Sequence, residues 1–505
     1  MLLDHMRCVH KVWRDVYGPK EEFDDEDNPF LKLLWDKGIQ HEADIVANFG
    51  FDYVDCGRGT EAERIFKTNA ALAAHSEYIY QGVLAHGNLF GIPDLLQFID
   101  GEYVPIEIKS GSASEGADDA GNEGKPKKEY GVQLALYVDV LNKKGLNSSR
   151  RASIIDKTGE RTEYDLNAPM GPKSPSMWEV YLSVKSEVEA SLRDELHNKP
   201  ALVGACKNCG WYASCKKWAK ENDDLTQLFD VGRIARDSFG RHFSPAGIDD
   251  VLRLDPKQLL EQKKTDRFFL RGVGRGTIAK VFARGPLMKS GGDPIMYERF
   301  EFPEVKTELF FDIETDPTQD FVYLHGFWVR DRAGQRFEHF TATEISDENE
   351  REYWKRSIDF MTSFDPNDVA IYYYSAYERT IYRQLRKKYP DVIGEAELED
   401  LFARPTTIDL YTDIILKGTD WPLGSYGIKA IAQYLDFEWR DETPSGALSI
   451  QWYNEYLTTR ESAKLTRVLE YNEDDCKATM VVKDYLKQRM NEGGLLWQTQ
   501  TTRLS

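Results

Sequence analysis

Cysteine is scarce in this chain, with six residues in 505. That is too few for a disulfide framework and fits a reducing, cytoplasmic setting. Also missing is any apolar run long enough to span a bilayer, so no membrane-embedded architecture is expected. The opening stretch, MLLDHMRCVH, carries charge early and has no apolar h-region, so no signal peptide is expected either. No G-x-x-x-x-G-K-[ST] occurs, which leaves no evident phosphate loop for ATP. Positive charge is in deficit. A net charge of −20 argues against nucleic acid adhering over the whole surface, while leaving room for a local basic track. What is present is core-forming material: 41% of residues are hydrophobic and 12% aromatic. The chain is too long for one core and should divide into about three domains.

Three of the cysteines fall in CKNCGWYASC, as Cys206, Cys209 and Cys215. Tetrahedral thiolate sites usually take four ligands. Cys56 and Cys476 lie far along the chain. Cys8 lies in MRCVHKVWRDVY, which reads as a short helix, and would join the two ends of a domain spanning 1–222. The residues alone leave open a zinc site completed by His10 or His197, or simply buried thiols.

Between these cysteines, GIPDLLQFIDGEYVPIEIKSG places two β-type runs around Asp100-Gly101, a strong two-residue hairpin signal. Opposed residues then have numbers summing to 201, so Asp94 faces Glu107 with side-chain roots about 5 Å apart. Lys109 shares that face, and Ile106 and Ile108 point into a core. Two carboxylates and a lysine on one sheet face suit a hard divalent cation and an activated water, unless they form only a salt-bridged surface. Upstream, LLWDKGIQHEADIV reads as a helix offering His41 and Glu42. Downstream, KEYGVQLALYVDVL reads as a helix with Gln133 and Tyr137 at i,i+4.

The order His41, Asp94, Glu107-x-Lys109, Gln133-x-x-x-Tyr137 resembles RecB-type nucleases of the PD-(D/E)XK superfamily. The enclosing Cys8 and C-x2-C-x5-C are similar to the iron–sulfur branch that includes CRISPR-associated exonucleases. The resemblance implies a 4Fe–4S cluster on Cys8, Cys206, Cys209 and Cys215. It also implies Mg²⁺ or Mn²⁺ on His41, Asp94 and Glu107, with Lys109 catalytic. One departure is the insertion SGSASEGADDAGNEGKPKK, residues 110–128, which reads as a mobile loop.

Residues 223–300 change character. KKTDRFFLRGVGRGTIAKVFARGPLMK is strongly basic, and FSPAGIDDVLRLDPKQLLEQ before it reads as a pair of short helices. RGVGRG followed by a helical run resembles a helix-hairpin-helix module. Gly272, Gly274 and Gly276 would let backbone N–H groups approach a phosphate, with Lys263, Lys264, Arg271, Arg275 and Lys280 as candidate nucleic-acid contacts. The alternative is a solvated basic linker.

TELFFDIETDP reads as a strand with Leu309, Phe311 and Ile313 on one face and Phe310, Asp312 and Glu314 on the other. Carboxylates on an otherwise apolar strand cost free energy unless a metal neutralises them. VLEYNEDDCKATMVVKDYL reads as a helix carrying Tyr471 and Asp475 at i,i+4, with Asp474 a possible misreading of Asp475. IYYYSAYERTIYRQL supplies Glu378 and TIDLYTDI supplies Asp409 as a supporting residue. This pattern resembles the DEDD exonucleases of the RNase H-like superfamily in their tyrosine form, with Glu378 where an aspartate is usual. The resemblance implies two metal ions on Asp312, Glu314, Glu378 and Asp475, with Tyr471 orienting the water.

The expected fold is α/β throughout. It comprises a PD-(D/E)XK restriction-endonuclease-like domain with a four-cysteine iron–sulfur staple over 1–222, a small basic helix-hairpin-helix-like connector over 223–300, and an RNase H-like domain with a mixed sheet over 301–505. The expected activity is that of a metal-dependent nuclease with two centres acting on single-stranded or frayed nucleic acid. For these the resemblance implies a single-stranded DNA exonuclease at the first and a 3′–5′ exonuclease at the second. The alternatives are an RNA-processing exonuclease in which the RNase H-like half dominates, and a catalytically inactive nucleic-acid-binding subunit of a larger complex. A separate helicase would supply any unwinding, and no membrane is involved.

Overall fold

The computed structural model describes residues 1–24, 29–115, 124–171, 173–244 and 247–491. The chain forms two compact units: Met1–Pro200 with Gly204–Ser214, and Ala201–Val203 with Cys215–Ser505. Both are α/β. Among the described residues, no helix is long and apolar enough to cross a membrane.

The first unit is built on a mixed sheet with the spatial order Val54–Asp55, Tyr78–Tyr80, Leu95–Ile99, Glu102–Ile108, Arg151–Ile155 and Arg161–Asp165. Its centre is the hairpin Leu95–Ile99/Glu102–Ile108, where Leu95 pairs Ile106 and Ile99 pairs Glu102, so partner numbers sum to 201. The turn is tight because Asp100 and Gly101 both adopt positive φ, 53° and 81°, which these residue types tolerate. The next strand, Arg151–Ile155, runs parallel to Glu102–Ile108, so the chain must cross over the sheet first. Helix Lys128–Lys143 makes that crossing and buries Leu134, Ala135, Val138 and Leu141. Ile106 and Ile108 pack on the opposite face with Val46, Leu95 and Ile155.

Two local expectations change. MRCVHKVWRDVY is two helices, Leu2–Arg7 and Lys11–Tyr17, with Cys8 extended between them (φ −154°, ψ 110°). Adjacent Cys and Val hold a helix poorly, so a break there is cheap. Within the insertion at 110–128, Ser114–Glu115 pairs antiparallel with Lys125–Pro126, while 116–123 lie outside the described residues.

In the second unit, helices Arg233–His242, Ile248–Leu252, Pro256–Thr265 and Arg275–Ser290 enclose a core that includes Phe239, Val251, Leu260, Leu270 and Ile278. A five-stranded sheet follows, in the order Gly334–Thr341, Phe321–Asp331, Thr307–Asp316, Val369–Tyr373 and Thr407–Asp409. The first two neighbouring pairs are antiparallel and the last two parallel. Leu309, Phe311 and Ile313 pack with Trp354, Ile358 and Tyr382 on one face. Asp312 and Glu314 face the long helix Ser462–Asn491 through Asn472.

Candidate active sites

At the first centre, Asp94 precedes the hairpin strand and Glu107 lies on its partner. The Asp94 carboxylate accepts the Ile108 N–H at 2.7 Å. Glu107 is buried and surrounded by donors: Lys109 Nζ at 2.9 Å on Oε2, Gln133 Nε2 at 2.9 Å on Oε1, and the Tyr137 hydroxyl on Oε1. Gly91 makes room for this arrangement, since a Cβ there would lie 2.6 Å from the Tyr137 ring. Burial, and then the charge of Glu107, push the Asp94 carboxyl up to about 9. Burial opposes the charge of Lys109, but Glu107 outweighs it and raises the ammonium pKa, which keeps the lysine protonated. Two carboxyl groups held this close repel when both are ionised, and a divalent cation would relieve that repulsion.

Helix Pro29–Ala47 carries both His41 and Glu42. His41 Nε2 meets the Asp156 carbonyl at 3.2 Å. Glu42 accepts from Tyr80 Oη at 2.9 Å and Gln81 Nε2 at 2.8 Å, and its charge contributes to the raised state of Asp94. The signal for Glu42 in the sequence was its place beside His41 in a helical run. Tyr80 and Gln81 gave none.

At the second centre, Asp312, Glu314 and Asp475 each bring a carboxylate oxygen within 4.8 Å of the others. Among the described residues this is the grouping of three that could hold a metal ion. Burial and the neighbouring acids, Asp475 foremost, push Asp312 well above the usual carboxylate range and Glu314 up to about 8. Glu378 opens helix Tyr377–Lys388 directly after strand Val369–Tyr373, and burial with the charge of Asp409 pushes it up to about 8. Its charge also reaches Asp312 and that of Asp475 reaches it, so Glu378 lies within electrostatic range of the triad. Just before Glu378, Ser375 holds φ 123°, a strained backbone conformation. Burial raises Asp475 as well, while Lys429, Trp439 and Tyr471 pull it back. Such a cluster is costly without a cation and chemically suited to one.

Several side chains order these acids. Asn472 Nδ2 donates to Asp312 Oδ2 at 2.7 Å and Glu314 Oε1 at 3.4 Å. It fits because Asp312 faces Gly326 across the sheet, where a Cβ would stand 1.7 Å from Asn472 Oδ1. Trp439 Nε1 donates to Asp475 at 2.8 Å, and Lys429 Nζ donates to the Tyr471 hydroxyl at 2.9 Å. Burial and Asp475 hold Tyr471 protonated. Asp474 turns instead to Arg440 Nε at 3.0 Å, and Asp409 caps Thr412 N at 2.8 Å. Asn472 sits beside the recognised tyrosine, which could have flagged it. Lys429, Trp439 and Gly326 arrive only through packing.

Of the cysteines, Cys8 and Cys209 are half-buried, and Cys56, Cys206, Cys215 and Cys476 are buried. Cys206 is buried on the turn Gly204–Asn208, and Cys209 follows it, its thiol raised by burial and then influenced by Lys11 and Cys8. Cys8 lies within electrostatic reach of Cys209, and among the described residues the cysteines form no grouping of three at the spacing of ligands on a single metal ion. Cys215 is buried on helix Tyr212–Glu221 and counts with the second unit.

In the basic segment, Lys263 Nζ donates to the Phe269 and Leu270 carbonyls at 2.7 and 2.9 Å. Lys264 pairs with Glu261, and Lys280 with Asp230. Arg271 and Arg275 are exposed at the start of helix Arg275–Ser290, whose N-cap is Gly274; Gly272 adopts φ 82°.

Against known families, residues 7–216 match the PD-(D/E)XK nuclease superfamily and residues 309–487 match the RNase_H superfamily. Neither the search of curated proteins nor that of solved structures returned a match. Asp94 and Glu107 lie inside the first matched span, and the acidic triad of Asp312, Glu314 and Asp475 inside the second. The chain joins a PD-(D/E)XK nuclease superfamily domain to an RNase H superfamily domain, and it is a metal-dependent nuclease, a hydrolase acting on nucleic acid.

Proposed function

We propose that this nuclease works through two separate phosphodiesterase centres, the first an exonuclease on single-stranded DNA and the second trimming from a 3′ end. The observation that carries the reading is that each matched domain gathers its own carboxylates, half-buried Asp94 with buried Glu107, and half-buried Asp312 with buried Glu314 and Asp475. The substrate and polarity rest on the family resemblance. Asp94, Glu107 and His41 would hold Mg²⁺ or Mn²⁺ at the first centre; Asp312, Glu314, Glu378 and Asp475 would hold it at the second. Bound there, the ion supplies Lewis acidity and an activated water.

The chain's own groups do the rest. Gln133 and Tyr137 fix Glu107, and the Ile108 N–H fixes Asp94. Lys109, protonated beside Glu107, offers a cation to the charge that grows on the phosphate oxygens. At the second centre Asn472 holds Asp312 and Glu314 in place. Tyr471 keeps its proton and so orients water by hydrogen bonding rather than removing a proton.

A 4Fe–4S cluster on Cys8, Cys206, Cys209 and Cys215 completes the reading. It is supported by the spacing of the cysteines in the sequence. The connector serves as a helix-hairpin-helix-like grip on the strand, and a separate helicase provides single strands. Brown protein with broad absorption near ~400 nm after anaerobic purification supports the cluster; colourless, zinc-containing protein overturns it.

The deciding experiment compares Lys109→Ala and Asp475→Ala on 5′- and 3′-labelled single strands of DNA and RNA. Each change should remove one activity and spare the other. Loss of both activities from either change would refute two independent centres, and preference for RNA at both would refute the substrate assignment.

A further inference from the structure

Helix Pro29–Ala47 carries one stripe with three different fates. Residues 35, 39, 42 and 46 follow a spacing of four, three and four, so they share a face within about 60°. At its inner end Val46 is buried with Ile106 and Ile108, the residues flanking Glu107. One turn earlier, Glu42 reaches Tyr80, Gln81 and the field of Asp94. The same stripe then continues outward as Ile39 and Trp35, which are 66% and 69% exposed. At about 1.5 Å per residue they stand roughly 4.5 and 10.5 Å along the axis from Glu42. Tyr53, 40% exposed, joins the same rim through its edge contact with Tyr80 at 5.5 Å. Lys32, exposed, lies one turn before Trp35.

We infer that Trp35, with Ile39 beside it, is a base-stacking platform for the single strand entering the first centre. The inference rests on that centre's being a nuclease active site, as proposed above. Exposed apolar side chains that adjoin one another, as Trp35 and Ile39 do, mark interaction sites where singly scattered ones do not, and here the partner is set by continuity. A strand whose phosphate lies between Asp94 and Glu107 has its next few nucleotides within reach of this stripe. An indole at that distance gives a base a flat apolar face, while Lys32 offers a cation to the backbone. Stacking accepts any base, so the platform adds grip and register without sequence preference.

The test uses the full chain in an Asp475→Ala background, with Lys109-dependent cleavage of labelled single-stranded DNA as the readout. Trp35→Ala should weaken productive binding roughly five- to hundred-fold, the range for losing one stacked base, mainly through KM. Trp35→Tyr should recover most of it. Phe66→Ala, which removes another exposed aromatic (77% exposed) on a different helix, should change little. The discriminating substrate has abasic sites in the three nucleotides beside the cut. Normal protein should cleave it worse than the intact strand, and Trp35→Ala should treat the two alike. If Trp35→Ala keeps full discrimination, or if its effect is a change of oligomeric state, the platform is refuted. Absence of any Lys109-dependent cleavage in the parent would instead refute the active-site reading beneath it.

Discussion

The two centres solve one problem with different balances of charge. At the first, Asp94 and Glu107, with Glu42 in electrostatic reach, sit with Lys109, whose ammonium lies 2.9 Å from Glu107 and offsets part of the repulsion internally. At the second, the triad Asp312, Glu314 and Asp475 has Glu378 in electrostatic reach, and the cation Lys429 spends its hydrogen bonds on the Tyr471 hydroxyl and the Pro444 carbonyl. Asn472, a neutral donor, stands between Asp312 and Glu314 instead. The second centre therefore depends more heavily on charge brought from outside, and the first carries part of its compensation in the chain.

The largest expected effect tests that contrast directly. Asp312→Asn should lower second-centre cleavage by more than ~100-fold, beyond the roughly 10- to 100-fold typical of losing a group that only supports a ligand. The same change should raise Tm in EDTA by a few degrees, at about 2–4 °C per kcal/mol of repulsion relieved in a domain of this size. Asp94→Asn should give a smaller thermal gain, because Lys109 loses part of its reason to be charged. Scanning fluorimetry with and without Mn²⁺ reads both. Equal gains at the two centres would remove the distinction.

Next in size is Lys109→Met, expected to slow first-centre cleavage about 10²–10³-fold with little change in strand affinity, as for loss of a transition-state donor. Single-turnover rates measured beside equilibrium binding separate the two. A loss carried wholly by affinity would make Lys109 a binding residue.

Much of this contrast is readable from the chain, for reasons that differ by residue. The hairpin register followed from Asp-Gly, because a two-residue turn fixes every pair beyond it. The strand at Thr307–Asp316 and the helix bearing Tyr471 and Asp475 followed from local periodicity. Periodicity could not reveal that Glu42, rather than its neighbour, reaches Tyr80 and Gln81, since adjacent helical residues differ only in which face meets the sheet. Nor could it show that Asn472 needs Gly326, 146 positions away in the chain and brought close only by packing. The break at Cys8 carries only the weak signal of Cys8 and Val9, because neither glycine nor proline stands among residues 8–10, which separate the two short helices.

Gly326→Ala is the intermediate case. Its Cβ would collide with Asn472 and force it off Asp312, costing about 1–3 kcal/mol as overpacking does. Second-centre cleavage should fall about 10- to 100-fold, in the range for a lost supporting contact, while first-centre cleavage holds. A variant pairing Gly326→Ala with Asn472→Ser should recover stability but not rate. Recovery of both would show that Asn472 contributes packing alone.

The smallest effect concerns the basic segment, where the cations are not equivalent. Lys280 is engaged by Asp230, and Lys263 closes the loop before helix Arg275–Ser290 through two carbonyls. Arg271 is exposed beside Gly272. A cation already paired within the chain releases fewer counterions on meeting a phosphate than one facing water. Arg271→Ala should therefore weaken single-strand binding about two- to threefold and flatten the slope of log K against log salt by about 0.7, one phosphate contact's share. Lys280→Ala should leave that slope nearly unchanged, because removing it frees Asp230 rather than losing a contact. Titrations with labelled oligonucleotide between ~50 and ~200 mM salt resolve the two. Equal slopes would mean that the ion pair opens on binding and that the segment acts as an undifferentiated basic surface.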